Sequence, residues 1–341
     1  MIDRRWTALL AALVVFTAAR VMTTHRVFNQ TSDEPFHVAA GYDLLTKGSY
    51  ALDPEHPPLA RVFFALPFLD TPDPAATEPT ARGNALLFRN ERYTQNLGRA
   101  RLGNLLFLAI GIVGVALWAR HLFTPATGLI AALLYASLPP VLAHGGFATT
   151  DMAGAAMFTL AMYALTLLLE EPTWKRALLL GLAVGAGCLA KFSFVLYFPA
   201  AALLLVVARR RFPLRRLLVA AGLAFVMVWA AYGFTFGTLQ DTEPRSSEMA
   251  GHVFGSTWIA TEAPMPMPRY VSGLLIVKNH DHFGHPAFLF DVKKWEGWWY
   301  YFPLALFFKT PIPFLLLAIA GCALLVSGAA GFQPAESSRP G

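Results

Sequence analysis

Residues 102–118 read LGNLLFLAIGIVGVALW, an uncharged apolar run with Arg101 at one end and Arg120 just beyond the other. At 1.5 Å of rise per residue, a helix of that length crosses the hydrocarbon core of a bilayer. Comparable runs occur at 6–22, 128–142, 152–169, 177–189, 194–208, 217–236 and 311–327. Together they predict an all-α, polytopic membrane protein with about eight transmembrane helices. The two runs that flank Lys191 are short, and each alone suits a buried or re-entrant helix. The first run, after Arg4 and Arg5, also admits a cleavable signal peptide, because Phe16-Thr17-Ala18-Ala19 places small residues near its end. An uncleaved anchor is the preferred reading.

Composition supports that class. The chain has 341 residues, 56% of them hydrophobic and only 14% charged, with a mean hydropathy of +0.49. One soluble core of this length cannot hide so much apolar surface. A net charge of +6 is compatible with nucleic acid as a partner, but the basic residues fall in short clusters between apolar runs, as at helix ends in a membrane. No nucleic-acid partner is expected. Cys188 and Cys322 both lie inside apolar stretches, so neither a disulfide framework nor a thiolate metal site is indicated.

Lysine and arginine placement predicts the orientation. With a cytoplasmic N-terminus, Arg4-Arg5, Arg120, Lys175-Arg176, Arg209 to Arg211 and Arg215-Arg216 all lie inside, as the positive-inside rule requires. Two long segments then face outward, 23–98 and 238–302. Within a domain spanning 1–330, connections of that length usually carry function. Residues 331–341 read as a disordered tail. The first loop opens with Ser32-Asp33-Glu34-Pro35, where Ser32 or Asp33 suits a helix cap and Pro35 its first turn. Phe36, Ala39, Ala40, Tyr42, Leu44 and Leu45 then form a broad apolar face up to Lys47-Gly48, which predicts a surface helix. Residues 53–58, Asp-Pro-Glu-His-Pro-Pro, read as stiff and extended, and 59–69 as an interfacial segment. The second loop holds Asn279 to His285 and the aromatics Trp295, Trp298, Trp299, Tyr300 and Tyr301, which suit the headgroup zone.

Charges beside apolar spans are costly, so they tend to be paired or functional. Asp33-Glu34, Glu55-His56, Arg99 with Arg101, and Asp151 all fall at the outward ends. Each has a plainer alternative. Asp33 and Asp151 suit helix caps, Glu55 a solvated loop, and the two arginines headgroup contacts. His280, Asp281, His282 and His285 read as a solvated turn rather than a metal site. Lys191 resists dismissal, because an unpaired ammonium between two short apolar runs is expensive. Lys309, before Thr310-Pro311, is similar but nearer the interface. Jointly, carboxylates and cations at one face suit a reaction at an anionic lipid headgroup, with a carboxylate to orient or deprotonate an acceptor hydroxyl and cations to stabilise a departing phosphate.

Ser32-Asp33-Glu34 with His37 and Gly41-Tyr42, Pro54-Glu55-His56-Pro57-Pro58-Leu59, Ala148-Thr149-Thr150-Asp151-Met152 and Ala190-Lys191-Phe192-Ser193 resemble the protein O-mannosyltransferase and aminoarabinose-transferase superfamily (glycosyltransferase family 39). These are polyprenyl-phosphate-dependent glycosyltransferases of the GT-C fold. The resemblance runs from the first span to Tyr300-Tyr301 and Phe308-Lys309-Thr310-Pro311. It implies an inverting transfer of a sugar from a lipid phosphate to a protein, lipid or envelope-glycan acceptor at the outer face of an inner or plasma membrane. Asp33 matches the family's catalytic loop carboxylate, Asp151 its second outer-face acid, Glu55 the acid of the proline motif and Arg101 the phosphate-facing arginine. Glu34 is expected to serve the helix end and positioning; Arg99, His56, Lys191 and Lys309 are further candidates for substrate binding.

The sequence departs from the family twice. It stops after about eight spans where members usually continue, which suits a minimal member, a truncated product or half of a split protein. His56 also stands where the aminoarabinose branch usually has lysine. No spacing requires a cofactor, although Asp33, Glu55 and Asp151 offer the hard oxygens that a divalent cation would take. A transporter-like or lipid-binding protein, and an inactive truncated paralogue, are the competing readings.

Overall fold

The computed structural model describes residues 3–242, 246–255, 257–283 and 287–327; residues 331–341 and His285 lie outside them. The chain is mostly helical. It begins with α1 (Arg4–Met22), followed by three helices in the first loop: α2 (Asp33–Lys47), α3 (Pro58–Ala65) and α4 (Pro79–Leu87). The bundle continues through α5 (Tyr93–Leu122), α6 (Pro125–Ser137), α7 (Pro139–Gly145), α8 (Asp151–Glu170), α9 (Trp174–Ala190), α10 (Phe194–Arg209) and α11 (Leu214–Ala231). The second loop forms α12 (Ser246–Phe254), α13 (Trp258–Thr261) and α14 (Pro268–Phe283), with two small antiparallel ribbons, and the described chain closes with α15 (Tyr301–Lys309) and α16 (Ile312–Val326).

Four segments are long and apolar enough to cross a membrane, Arg4–Arg26, Tyr93–Leu122, Asp151–Glu170 and Leu214–Ala231, and six if each of two bent pairs counts as one span. The bends have a local cause. Leu138, before Pro139, is extended with ψ 128°, and Thr310, before Pro311, is extended with ψ 130°, because a residue that precedes proline is pushed out of the helical region. α6 and α7 therefore meet at 69°, and α15 and α16 at 114°. The count from sequence was about eight. The difference lies in α9 and α10, whose 17 and 16 residues leave them at the short end for a spanning helix.

The two largest apolar clusters form most of the interior, one joining α1 to α6 and α8, the other α8 to α11, and two smaller ones pack within the second loop and where it meets the ends of α9 and α11. Large apolar side chains stay exposed along α10 and α16, among them Leu196, Leu204, Leu316 and Ile319, as lipid-facing surfaces require.

The alternation of the helices gathers 23–92, the turn before α8, the α9–α10 junction and the second loop at one end. Contacts confirm it. Tyr50 donates its hydroxyl hydrogen to the Ala231 carbonyl, and Tyr270 to the Cys188 carbonyl at 3.3 Å. At the opposite end Arg120 lies over the Trp6 ring, Arg216 over Trp174, and Arg209 is 3.7 Å from Glu170. The basic clusters thus share one end.

α2 differs from the amphipathic surface helix expected for this stretch. α2 is buried along Glu34 to Asp43 apart from Phe36, enclosed by α3 and α4 rather than laid on a lipid surface. No side chain caps it, since Ser32 instead donates to Asp33 Oδ1 at 3.0 Å. Lys47-Gly48 does end it, with Gly48 in the left-handed region at φ 64°. Gly41 permits the close α2–α3 packing: a Cβ there would lie 2.1 Å from the Arg61 carbonyl oxygen. Gly41→Ala is expected to wedge the two helices apart and destabilise the protein by about 1–3 kcal/mol, which thermal unfolding in detergent would measure; an unchanged midpoint would contradict that packing.

Candidate active site

Glu34 is the most completely engaged acid of the first loop. It is fully buried at the first turn of α2, and Arg101 of α5 grips it through Nε to Oε1 at 2.7 Å and Nη2 to Oε2 at 2.8 Å. The same carboxylate accepts the backbone N–H of Thr31 and that of Ala148, both at 2.8 Å. Arg101 also donates to the carbonyls of Phe28 and Asn29, at 3.1 and 2.9 Å. One ion pair therefore ties α1's exit, α2, α5 and the turn before α8. The phosphate-facing role that the resemblance gives Arg101 meets a different geometry here: the guanidinium is 2% exposed and turned toward Glu34. Arg99, two residues earlier on the helix, is exposed, as is Asp33.

Asp151 begins α8 without capping it through its side chain. It instead accepts a hydrogen bond from Lys191 Nζ and lies 3.5 Å from His144 Nδ1. Lys191 is the extended residue that ends α9. The ammonium that the sequence marked as too costly to leave unpaired therefore has its partner, although both side chains remain partly exposed. From this pair an apolar groove of about 740 Å³ runs between α8 and α10, floored by Gly154, Ala155 and Phe158 and walled by Phe194, Tyr197 and Leu204. Small residues on α8 leave the room that larger ones would fill.

A second, smaller cavity of about 70 Å³ lies where the first and second loops meet, with Tyr50, Asp53, His56, Arg61, Tyr232 and Arg269 on its walls. Gly273 of α14 allows that meeting: a Cβ there would sit 2.4 Å from the Pro54 carbonyl oxygen. Arg61, 3% exposed, fixes the proline-rich turn by donating to the carbonyls of Pro57 (3.2 Å), Asp53 (2.7 Å) and His56, and pairs with Asp53 Oδ2 at 3.2 Å. His56 Nδ1 is 3.0 Å from Asp53 Oδ1 and 3.2 Å from Oδ2. His37 Nδ1 reaches the same Oδ2 at 3.4 Å but out of hydrogen-bond alignment, so it is left without a hydrogen-bond partner. Burial alone would raise the Asp53 carboxyl; the contacts from His37 and His56 and the Arg61 charge outweigh it and hold the group well below the usual carboxylate range. Burial lowers His37, against the raising effect of Asp53. The neighbourhood thus holds an ionised carboxylate and an imidazole biased toward its neutral form.

The expected site residues divide accordingly. Glu34 joins Arg101 in a buried brace; Asp151 joins Lys191 at the groove; His56 joins the cavity wall. Glu55 is half-buried in the turn. Lys309 is exposed at the α15–α16 bend. Asp33, Glu55 and Asp151 do not converge as a ligand set: among the described residues, the one group of three or more metal-competent side chains within mutual reach is His37, Asp53 and His56. Sequence reading gave no role to Asp53, Arg61, His144 or Arg269. Asp53 stands three residues before His56 in a turn braced by prolines, which is a local signal. Arg269 reaches the cavity only through the fold of the second loop.

Residues 93–232 match the family model described as dolichyl-phosphate-mannose-protein mannosyltransferase. Neither a curated protein nor a solved structure matches the chain. The matched segment contains Arg99, Arg101, Asp151, Lys191 and the whole groove, and it confirms the resemblance over α5 to α11. Asp33, Glu34, Glu55, His56 and Lys309 lie outside it. The match points to a GT-C-type glycosyltransferase that uses lipid-linked sugar donors, built as an integral membrane protein.

Proposed function

We propose that this protein is a membrane glycosyltransferase that moves a sugar, with inversion, from a polyprenyl-phosphate donor to a protein, lipid or envelope-glycan acceptor. The observation that carries the reading is the apolar groove ending at the Asp151–Lys191 pair, inside the segment that matches the family. A polyprenyl chain suits the apolar walls, and its phosphate suits a cation at the mouth. Asp33, exposed at the same end of the bundle, takes the proton of the acceptor hydroxyl as that oxygen bonds to the anomeric carbon. The bond from that carbon to the phosphate oxygen breaks, and its electron pair leaves with the phosphate. Lys191, assisted by Arg269, offsets the charge developing there. Arg101 acts through Glu34 as a positioning residue. Counting the four long segments, the two bent pairs, α9 and α10 as spans gives eight, with the N-terminus in the cytoplasm and the site on the outer face of an inner or plasma membrane.

The test is transfer by the purified protein from a polyprenyl-phosphate sugar to candidate acceptors, read by mass spectrometry. A transporter-like protein moves the lipid without breaking the glycosidic bond, and an inactive paralogue binds it without turnover; either result overturns the proposal. Lys191→Met is expected to lower kcat/KM for the lipid donor by at least about tenfold, the scale of one lost charged hydrogen bond, whereas Lys191→Arg keeps the charge and part of the rate. Equal rates for both variants and the wild type would remove Lys191 from the phosphate site.

A further inference from the structure

We infer that His37, Asp53 and His56 form a transition-metal site, best suited to Zn2+, in the wall of the cavity between the two loops. Three features of the geometry point there. Both imidazole Nδ1 atoms converge on one carboxylate oxygen, Asp53 Oδ2, at 3.2 Å from His56 and 3.4 Å from His37. A tetrahedral ion with metal–ligand bonds of 2.0–2.1 Å sets its ligand atoms about 3.3 Å apart, so these separations are ligand edges as they stand. The third pair, His37 with His56, is within reach as well, since one ligand atom from each of the three residues lies within 4.8 Å of the others.

His37 supplies the second observation. It is 2% exposed, its Nδ1 faces the carboxylate, and that nitrogen has no hydrogen-bond partner. A buried polar nitrogen left unsatisfied costs free energy, and a bound cation would remove that cost. The two rings meet edge to face, with centroids 4.7 Å apart and planes at 86°, so they approach from different directions instead of stacking. Two imidazoles and one carboxylate form the donor set of many three-ligand zinc sites that keep a fourth position open. Here that position faces the cavity, because His56 and Asp53 line it while His37 lies behind. An oxygen from solvent or from a cavity-bound anion would complete the shell.

Arg61 sets the character of the site. It holds Asp53 Oδ2 at 3.2 Å and three carbonyls of the same turn, orienting a ligand as outer-shell partners do. Its positive charge also repels a dication, which makes this a weaker site than a closed structural one. Neutral imidazole and ionised carboxylate are the forms that bind metal. The ligands differ from the Asp33, Glu55 and Asp151 oxygens that sequence alone offered for a cation.

The experiment uses the full-length protein in detergent, stripped with chelator, and needs no sugar or lipid substrate. Its outcome is thus independent of the glycosyltransferase reading. Zn2+ is titrated by equilibrium dialysis with elemental analysis, and Co2+ in parallel by visible absorption. One equivalent of Zn2+ and the intense visible bands of low-coordinate Co2+ are expected. His56→Gln, at the partly exposed ligand, is expected to weaken binding by at least about tenfold, and Asp53→Asn and His37→Gln similarly. Should the buried variants fail to fold, the wild-type cobalt spectrum and His56→Gln decide. Absence of stoichiometric metal would leave only the Asp53–His56 hydrogen bond beside an unsatisfied His37 and overturn the inference. Binding unchanged in His56→Gln would place the metal elsewhere and overturn it equally.

Discussion

Asp33→Asn is expected to abolish sugar transfer while the protein folds and extracts as the wild type does. The substitution keeps the shape of the side chain and its contact with Ser32, which donates to Asp33 Oδ1 at 3.0 Å. What it removes is basicity. Loss of a positioned general base costs on the order of 10²- to 10⁴-fold in rate, and because Asp33 is exposed, its replacement disturbs no buried partner. Lipid-donor binding measured without acceptor should persist. A variant that keeps the wild-type rate would take the proton-accepting role away from Asp33. A variant that instead loses folding would recast the residue as structural, contrary to its exposure.

Breaking the Glu34–Arg101 pair is expected to produce the largest loss of stability. Both side chains are buried, and each substitution leaves the other as an uncompensated charge beside unsatisfied carbonyls or N–H groups. Removing one member of a buried ion pair costs about 3–5 kcal/mol, a large share of the 5–15 kcal/mol typical of a folded domain. Arg101→Ala and Glu34→Ala should each lower the unfolding temperature in detergent sharply, and the double variant should lose less than the sum of the two. Arg101→Lys is the discriminating case. A single ammonium cannot reproduce the fork that bonds both Glu34 oxygens together with the Phe28 and Asn29 carbonyls, so stability falls here too. If Arg101 instead served mainly to hold a lipid phosphate, the lysine variant would unfold at the wild-type temperature and show its defect only in turnover.

The division between these two neighbouring acids marks where sequence reading reached its range. Asp33 and Glu34 are adjacent, and both suit a helix start near a membrane. On a helix, successive side chains point about 100° apart, so one turns to the open end of the bundle and the other into the core. Which one turns inward depends on Arg101, 67 residues away. The same holds for Arg99 and Arg101, two positions apart on α5, of which one is exposed and the other buried.

By itself the sequence determined the helical membrane class, because uncharged runs of spanning length have no other stable setting. It also fixed the segregation of charge: the basic clusters recur between alternate runs, so any up-and-down path puts them at one end. The helix stop at Lys47-Gly48 was legible because backbone chemistry acts over one or two residues, whereas the break before Pro139 falls inside the stretch 128–142 that read as one run. Lys191 was marked by cost alone, without its partner. Tertiary structure decided everything that needs two distant segments at once: Asp151 beside Lys191, Glu34 beside Arg101, the groove between α8 and α10, and the convergence of His37 of α2 with Asp53 and His56 of the proline-rich turn. These pairings lie beyond hydrophobic periodicity, which says which face of a helix is apolar but not which neighbour covers it. A buried charge or imidazole finds its partner only when the chain has closed around it.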